Sequence, residues 1–155
     1  MQSDTDYMNK ALQQAEIAAE NGEVPVGALL ITADGEEFVS GNAPITTDDA
    51  SAHAEMRVIR EACQALGNYR LTGSTLYVTL EPCLMCAGAI VHARISRVVY
   101  AASDPKTGAV ESLYQILSDE RLNHQAEITS GVLADESSKL LKSFFRSRRN
   151  KRKNS

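Results

Sequence analysis

The sequence predicts an α/β domain built on a mixed five-stranded sheet with helices on both faces. Three observations carry that expectation. Segments with apolar residues at helical spacing alternate with short β-branched runs, in the order α-β-β-α-β-α-β-α-β-α. The first two strands are separated by Ala33-Asp34-Gly35, a hairpin turn, so they run antiparallel. A length of 155 residues, with no internal repeat, fits one domain that can bury a sizeable core.

The first helix is expected from about Asp4 to Glu20, because Met8, Ala11, Leu12, Ala15, Ala18 and Ala19 fall on one face. Asn21-Gly22 ends it, since glycine accepts the left-handed conformation at no steric cost. Val26 to Thr32 reads as a buried strand, and Phe38 to Gly41 as its antiparallel return. The polar stretch from Asn42 to Ser51, rich in Thr and Asp, reads as a loop. A second helix follows from about Ala52 to Leu66, with Met56, Ile59, Cys63 and Leu66 inward and Gly67 as its stop. Thr75 to Leu80 is a strand. Pro82 opens the next helix, where its missing N–H costs nothing, and that helix runs to about His92. Arg97 to Ala102 is a strand, Glu111 to Leu117 a helix, and Glu127 to Ser130 a short last strand. Asp135 to Arg149 forms the terminal helix, with Leu140, Leu141, Phe144 and Phe145 on its apolar side.

No apolar stretch is long enough to span a membrane, and the N-terminus lacks the basic and apolar regions of a secretory signal. Three cysteines, an odd count, give no disulfide framework; they suit a reducing cytoplasm and metal thiolates. Charge is segregated. All 20 acidic residues lie at or before Glu136, and 8 of the 16 Lys and Arg fall between Lys139 and Lys153. The body therefore carries −12 and the terminal segment +8. A basic end at about residues 135–155 suits a polyanionic partner, and a solubilising terminus has the same composition.

One constellation bears chemistry. His53-Ala54-Glu55 and Pro82-Cys83-Leu84-Met85-Cys86 offer one imidazole, two thiolates and a nearby carboxylate, each set at the start of a predicted helix. Residues three apart on a helix share a face, so both sulfurs can reach one ion. A helix N-terminus also favours the thiolate form. With no fourth protein ligand evident, zinc keeps an open position for water, which marks a catalytic rather than a structural site. A second C-x-x-C, needed for a four-cysteine structural site, is absent, and Cys63 lies too far along its helix to contribute. One Zn2+ per subunit is thus expected on His53, Cys83 and Cys86. The pattern H-x-E…P-C-x-x-C is the signature already described for zinc-dependent nucleobase deaminases. In such chemistry zinc lowers the pKa of a water, and Glu55 is the catalytic group that moves protons to the ring nitrogen and the departing ammonia.

Beyond that motif the chain resembles bacterial tRNA-specific adenosine deaminases over nearly its whole length. The resemblance rests on Gly22 to Ala28, Ala52 to Glu55, Leu76 to Gly88, Asp104 to Ala109, Asn123-His124, Ser130 to Ala134, and Phe144-Phe145-Arg146 with Arg148-Arg149. The Asp-Pro-Lys-Thr-Gly run at Asp104 and the Phe-Phe basic end are particular to the tRNA branch. The resemblance implies a three-layer cytidine-deaminase-like fold and conversion of adenosine to inosine at the wobble position of a tRNA anticodon. It also implies a homodimer; the cytoplasmic location and the lack of a membrane association are expected from the cysteine count and the short apolar stretches. It further implies that Asn42 hydrogen-bonds the flipped base, and that Val26 and Pro44 line the base pocket. Asp104 and Lys106 would contact the anticodon nucleotides beside the target, and Phe144, Arg148 and Arg149 would reach the tRNA from the terminal helix. On the residues alone, Asn42 and the Asp104 segment read equally as turns, and Val26 and Phe144 as core. One position departs from the family pattern: Ala43 follows Asn42 where arginine is expected. The loop to Ser51 also carries Asp48-Asp49 and no basic residue.

An anticodon loop suits the chemistry, because its unstacked bases are extruded at little cost and a basic helix supplies affinity for phosphates. The competing reading on the same zinc core is a deaminase of a free nucleobase or nucleoside of the guanine or cytosine type, which has no need of the basic end. A non-catalytic, zinc-stabilised RNA-binding module has no need of Glu55.

Overall fold

A computed structural model describes residues 2–153, with side chains from 2 to 151; residues 154–155 of the predicted basic segment lie outside the described residues. Along the chain run α1 (Asp4–Glu20), β1 (Gly27–Ile31), β2 (Glu37–Gly41), α2 (Ala54–Leu66), β3 (Thr75–Leu80), α3 (Leu84–Ala93), β4 (Arg97–Ala102), a 3-10 turn (Ile116–Ser118), β5 (Glu127–Ser130) and α4 (Ala134–Lys153). The sheet order is β2-β1-β3-β4-β5. β1 is antiparallel to β2 and β3, while β3, β4 and β5 are parallel, which is the mixed five-stranded sheet expected.

Alternation along the strands sorts their side chains onto two faces. Leu30, Leu76, Val78, Val98 and Tyr100 pack with Val58 and Ala62 of α2 and Ala87 and Ile90 of α3. On the opposite face Leu29, Tyr77, Val99 and Ala101 pack with Met8 and Ala11 of α1. α4 joins that second face, where Val132 and Leu133 lead into it and the buried Ser137 hydroxyl donates to the Thr79 carbonyl at 2.5 Å. The α1 N-terminus is fixed twice. Ser3 and Asp6 form a capping box, and the Asp4 carboxylate accepts the Tyr77 hydroxyl at 2.6 Å and two Arg97 nitrogens at 2.9 and 2.7 Å. The Arg97 guanidinium holds the Asp4 carboxyl below the usual carboxylate range.

Three expectations are corrected. Glu111 to Leu117 is not a helix but a run of turns ending in the 3-10 turn. There the Leu113 amide donates to Gly108 and the Ile116 amide to Ala109, spacings that no α-helix has. α2 buries Ile59 as expected but is otherwise rotated from the face that its larger apolar residues suggest. It buries Ala54, Glu55, Val58, Ile59 and Ala62, leaving Met56 and Cys63 half-buried and Leu66 exposed, because the alanines allow the closest approach to the sheet. α3 starts at Leu84 and not at Pro82, with Cys83 at its cap. Along α4 the predicted apolar side is only partly covered: Leu140, Leu141 and Phe144 are half-buried and Phe145 is exposed. Among the described residues, no helix is long and apolar enough to cross a membrane.

Close approach of α1 to the sheet depends on glycine. A Cβ at Gly27 would overlap the Ala11 carbonyl oxygen and stand 2.6 Å from the Ala15 amide nitrogen, and backbone has no flexible end to move aside. Gly27→Ala should therefore cost about 3 kcal/mol or more, read from the urea unfolding midpoint. A midpoint equal to that of the unaltered protein would show that α1 can lift off the strand without loss.

Candidate active site

Two helix starts meet to make the site. His53 is the N-cap of α2 and Cys83 the N-cap of α3, both in extended backbone, and neither side chain caps its own helix. They face one another instead. His53 Nδ1 lies 3.6 Å from Cys83 Sγ and 3.4 Å from Cys86 Sγ, and the three candidate ligand atoms fall within 4.8 Å of each other. One imidazole nitrogen and two sulfurs in that span fit a tetrahedral zinc with a fourth position left for water. The hydrogen bond with Cys86 brings the Cys83 thiol down to about 4, against the opposing effect of burial and with help from His53. Its bond to Cys83 and its burial push the Cys86 thiol up. A cation bound there would favour the thiolate form of both sulfurs.

Glu55 lies in the first turn of α2, only 4% exposed. Burial pushes its carboxyl up to about 7, where one group can both accept and return a proton near neutrality. A cation on the adjacent cluster would draw that value back down.

The cap that His53 does not provide comes from Asn42. Its Oδ1 accepts the Ala54 amide at 2.8 Å, and its own backbone amide donates to the Val26 carbonyl at 3.0 Å. Asn42, Val26 and the start of α2 thus form one hydrogen-bonded unit, with the Val26 side chain buried in the core. Half-buried Pro44 follows in a turn and accepts the Asp49 amide at 3.0 Å. Ala43, which stands where arginine is expected, is buried, and its amide closes the loop onto the Ala52 carbonyl at 3.0 Å.

A second loop carries Asp104 and Lys106. The Asp104 carboxylate accepts the Lys106 and Thr107 amides at 3.1 and 3.2 Å and the Thr107 hydroxyl at 2.6 Å, so it shapes its own turn. Lys106 lines a groove of about 710 Å³ together with Val24, Ile45, and Phe144, Arg148 and Arg149 from α4. The Arg148 guanidinium lies 5.0 Å from the centre of the Phe144 ring and donates to the Gly22 carbonyl. The structure therefore gathers Lys106, Phe144, Arg148 and Arg149 in one groove, and His53, Glu55, Cys83 and Cys86 in a separate cluster. Asp104 is not among the residues lining the groove, and Phe144 is not core.

Comparison with known proteins agrees with this geometry. The family model for MafB19-like deaminases matches residues 2–149. The tRNA-specific adenosine deaminase of Bacillus subtilis is 51% identical over 154 residues, covering 99% of this chain and 95% of that enzyme. The chain belongs to this deaminase family. A solved tRNA:A34 deaminase, described in work on A-to-I editing at the wobble position of transfer RNA, is 49% identical. It aligns over 88% of this chain and 99% of its own, with a TM-score of 0.84, so the three-layer deaminase fold is shared. A guanine deaminase from Bacillus subtilis is more distant, 39% identical over 66% of each chain with a TM-score of 0.61.

Two acids in this deaminase escape sequence reasoning. Glu23, 1% exposed, accepts the Ile45 and Thr46 amides at 3.2 and 2.7 Å and so holds the loop that carries Pro44. Glu81, 2% exposed, accepts four backbone amides from the segment Asp104 to Ser112. The available signal was position: each acid stands inside a family-matching run, beside Val24-Pro25 or Pro82-Cys83. Asn42→Ala removes the α2 cap and should lower folding stability by about 1 kcal/mol, whereas Asn42→Asp keeps the acceptor and should stay near the parent in denaturant titration. Equal loss in both variants would mean that the cap is not what Asn42 contributes.

Proposed function

We propose that this protein is a zinc-dependent hydrolase that converts adenosine to inosine at the wobble position of a tRNA anticodon. It acts in the cytoplasm as a homodimer, each chain one deaminase domain with a basic terminal helix. The observation that carries the reading is the pairing of a nitrogen–sulfur–sulfur cluster with a buried carboxyl two residues from its imidazole. The names of the close relatives and the basic groove support the substrate.

His53, Cys83 and Cys86 would hold one Zn2+, which when bound supplies the Lewis acidity that makes water a competent nucleophile near neutral pH. Glu55 takes a proton from the attacking water and delivers it to the ring nitrogen beside the amine-bearing carbon, then passes the proton of the new hydroxyl on that carbon to the amino group, which leaves as ammonia. One water is consumed, and inosine and ammonia are formed. Asn42, held by its bond from Ala54, presents its carboxamide to the extruded base, with Val26 and Pro44 as pocket walls. Lys106, Arg148 and Arg149 engage phosphates, and Phe144 offers a ring for stacking. Asp104 fixes the turn that presents Lys106 to the nucleotides flanking the target.

Incubation with an anticodon stem-loop bearing a wobble adenosine should yield inosine, and free guanine or cytosine should release no ammonia; the reverse pattern would establish the free-base reading. Glu55→Ala should keep about one zinc per chain by atomic absorption. It should also lose at least about 10²-fold in turnover, and retained turnover would refute the proton-transfer role. Truncation after Phe145 should weaken stem-loop binding and flatten its dependence on salt while sparing zinc. Unchanged affinity would remove α4 from the binding surface.

A further inference from the structure

Glu81 belongs to neither the metal cluster nor the groove, yet it touches the segments that build both. It follows β3 directly and precedes Pro82-Cys83. Its Oε1 accepts the Asp104 amide at 3.0 Å and the Ser112 hydroxyl. Its Oε2 accepts the Val110, Glu111 and Ser112 amides at 3.1, 2.8 and 2.9 Å. Converging amides form the kind of concavity that binds anions, and here the anion is a side chain of the protein itself. A Cβ at Gly108 would overlap that carboxylate, so the loop closes on Glu81 only because residue 108 has no side chain.

The same loop is tied to the cysteine half of the cluster. Cys83 and Gly108 form an isolated antiparallel bridge, and the Ala109 amide donates to the Pro82 carbonyl at 2.9 Å. On its other side, Asp104 is held through its amide by Glu81 and turns its carboxylate onto the Lys106 amide. A chain of bonds thus runs from the end of β3 to the residue that lines the groove. Beneath it, buried Tyr100 donates its hydroxyl to Glu111.

We propose that Glu81 is a positioning residue that clamps the 104–112 loop as one piece and thereby sets Lys106 in the groove relative to Cys83. It touches no substrate and moves no proton. The Lys106 half of this inference rests on the groove being the RNA site; the clamp itself does not. A buried acid serving stability alone would lower the folding midpoint without singling out this loop.

The test uses full-length, zinc-loaded protein carrying Glu81→Gln, whose carboxamide turns a donor toward some of the loop amides. Hydrogen exchange at Asp104, Val110, Glu111 and Ser112 should accelerate at least about 10-fold, as expected for loss of a hydrogen bond to a charged acceptor. Amides of β3 and α3 should keep their protection. Unchanged exchange in the loop, or equal acceleration in β3 and α3, overturns the clamp. Stem-loop affinity then supplies a double-mutant cycle. Lys106→Ala should weaken binding in the parent and add little in the Glu81→Gln background, whereas full additivity overturns the placement of Lys106. If the parent binds no stem-loop, the RNA reading and the Lys106 half fall together, and the exchange result alone decides the clamp. Should Glu81→Gln fail to fold, Ser112→Ala removes one donor at an exposed position and should accelerate exchange at Asp104 and Ser112 in the same direction.

Discussion

A helix start ordinarily spends its cap side chain on its own first amides, because those donors have no intrahelical partner. In this deaminase both helix starts at the site give that up. His53 and Cys83 occupy the N-cap positions of α2 and α3 and are turned toward each other, so the candidate ligand set exists only while the two N-termini are held together. The sheet supplies that hold. β3 feeds α3 directly and α2 packs beside it on the same face, so the spacing of the two N-termini is set by apolar packing around Val58, Ala62, Ala87 and Ile90. Asn42 then restores the lost cap from outside α2, which joins the loop carrying Pro44 to the same point.

Among the described residues three glutamates are buried, Glu23, Glu55 and Glu81, and their surroundings differ. Burial acts to raise all three. At Glu23 the Thr46 and Ile45 amides outweigh it and hold the carboxyl below its ordinary range. At Glu81 the Glu111 amide, the Ser112 hydroxyl and further amides do the same. At Glu55 burial prevails over the backbone amide and the nearby His53, lifting its carboxyl to about 7. A carboxylate saturated by fixed donors is an anchor, since protonation would break several bonds at once. A carboxyl left undersupplied in a buried place can exchange a proton. The two anchors fix their loops, and the third stands two residues from the imidazole of the candidate cluster.

The cluster was legible in the sequence because each half is a contiguous motif at a helix start, so local spacing already implies the geometry. The strands were legible for a similar reason, their alternation being a local property. What failed was non-local. Glu111 to Leu117 has apolar residues at plausible helical intervals, but Glu81, some thirty residues earlier, gathers its first amides and bends the chain into turns. The buried face of α2 follows fit and not size, since the sheet accepts its alanines more closely than Met56 or Leu66. Buried acids escape any reading of composition, since burial of a carboxylate depends on donors that arrive from elsewhere in the chain.

The separation of groove and cluster bears on what substrate the molecule suits. A free base needs only the cluster, Glu55 and the Asn42 unit, and gains nothing from cations that lie outside that lining. Lys106, Arg148 and Arg149 line a groove whose loops, at Ile45 and Lys106, spring from the same segments that frame the cluster. Binding energy collected there can be used at the reacting carbon only by a substrate long enough to occupy both places, in which remote contacts hold the target atom in position. The charge distribution points the same way. A body carrying −12 repels a polyanion, so approach is favoured only along the segment carrying +8. The Arg148 bond to the Gly22 carbonyl ties α4 to the end of α1. A polyanion with one base splayed out satisfies both requirements, and a small nucleobase satisfies only one.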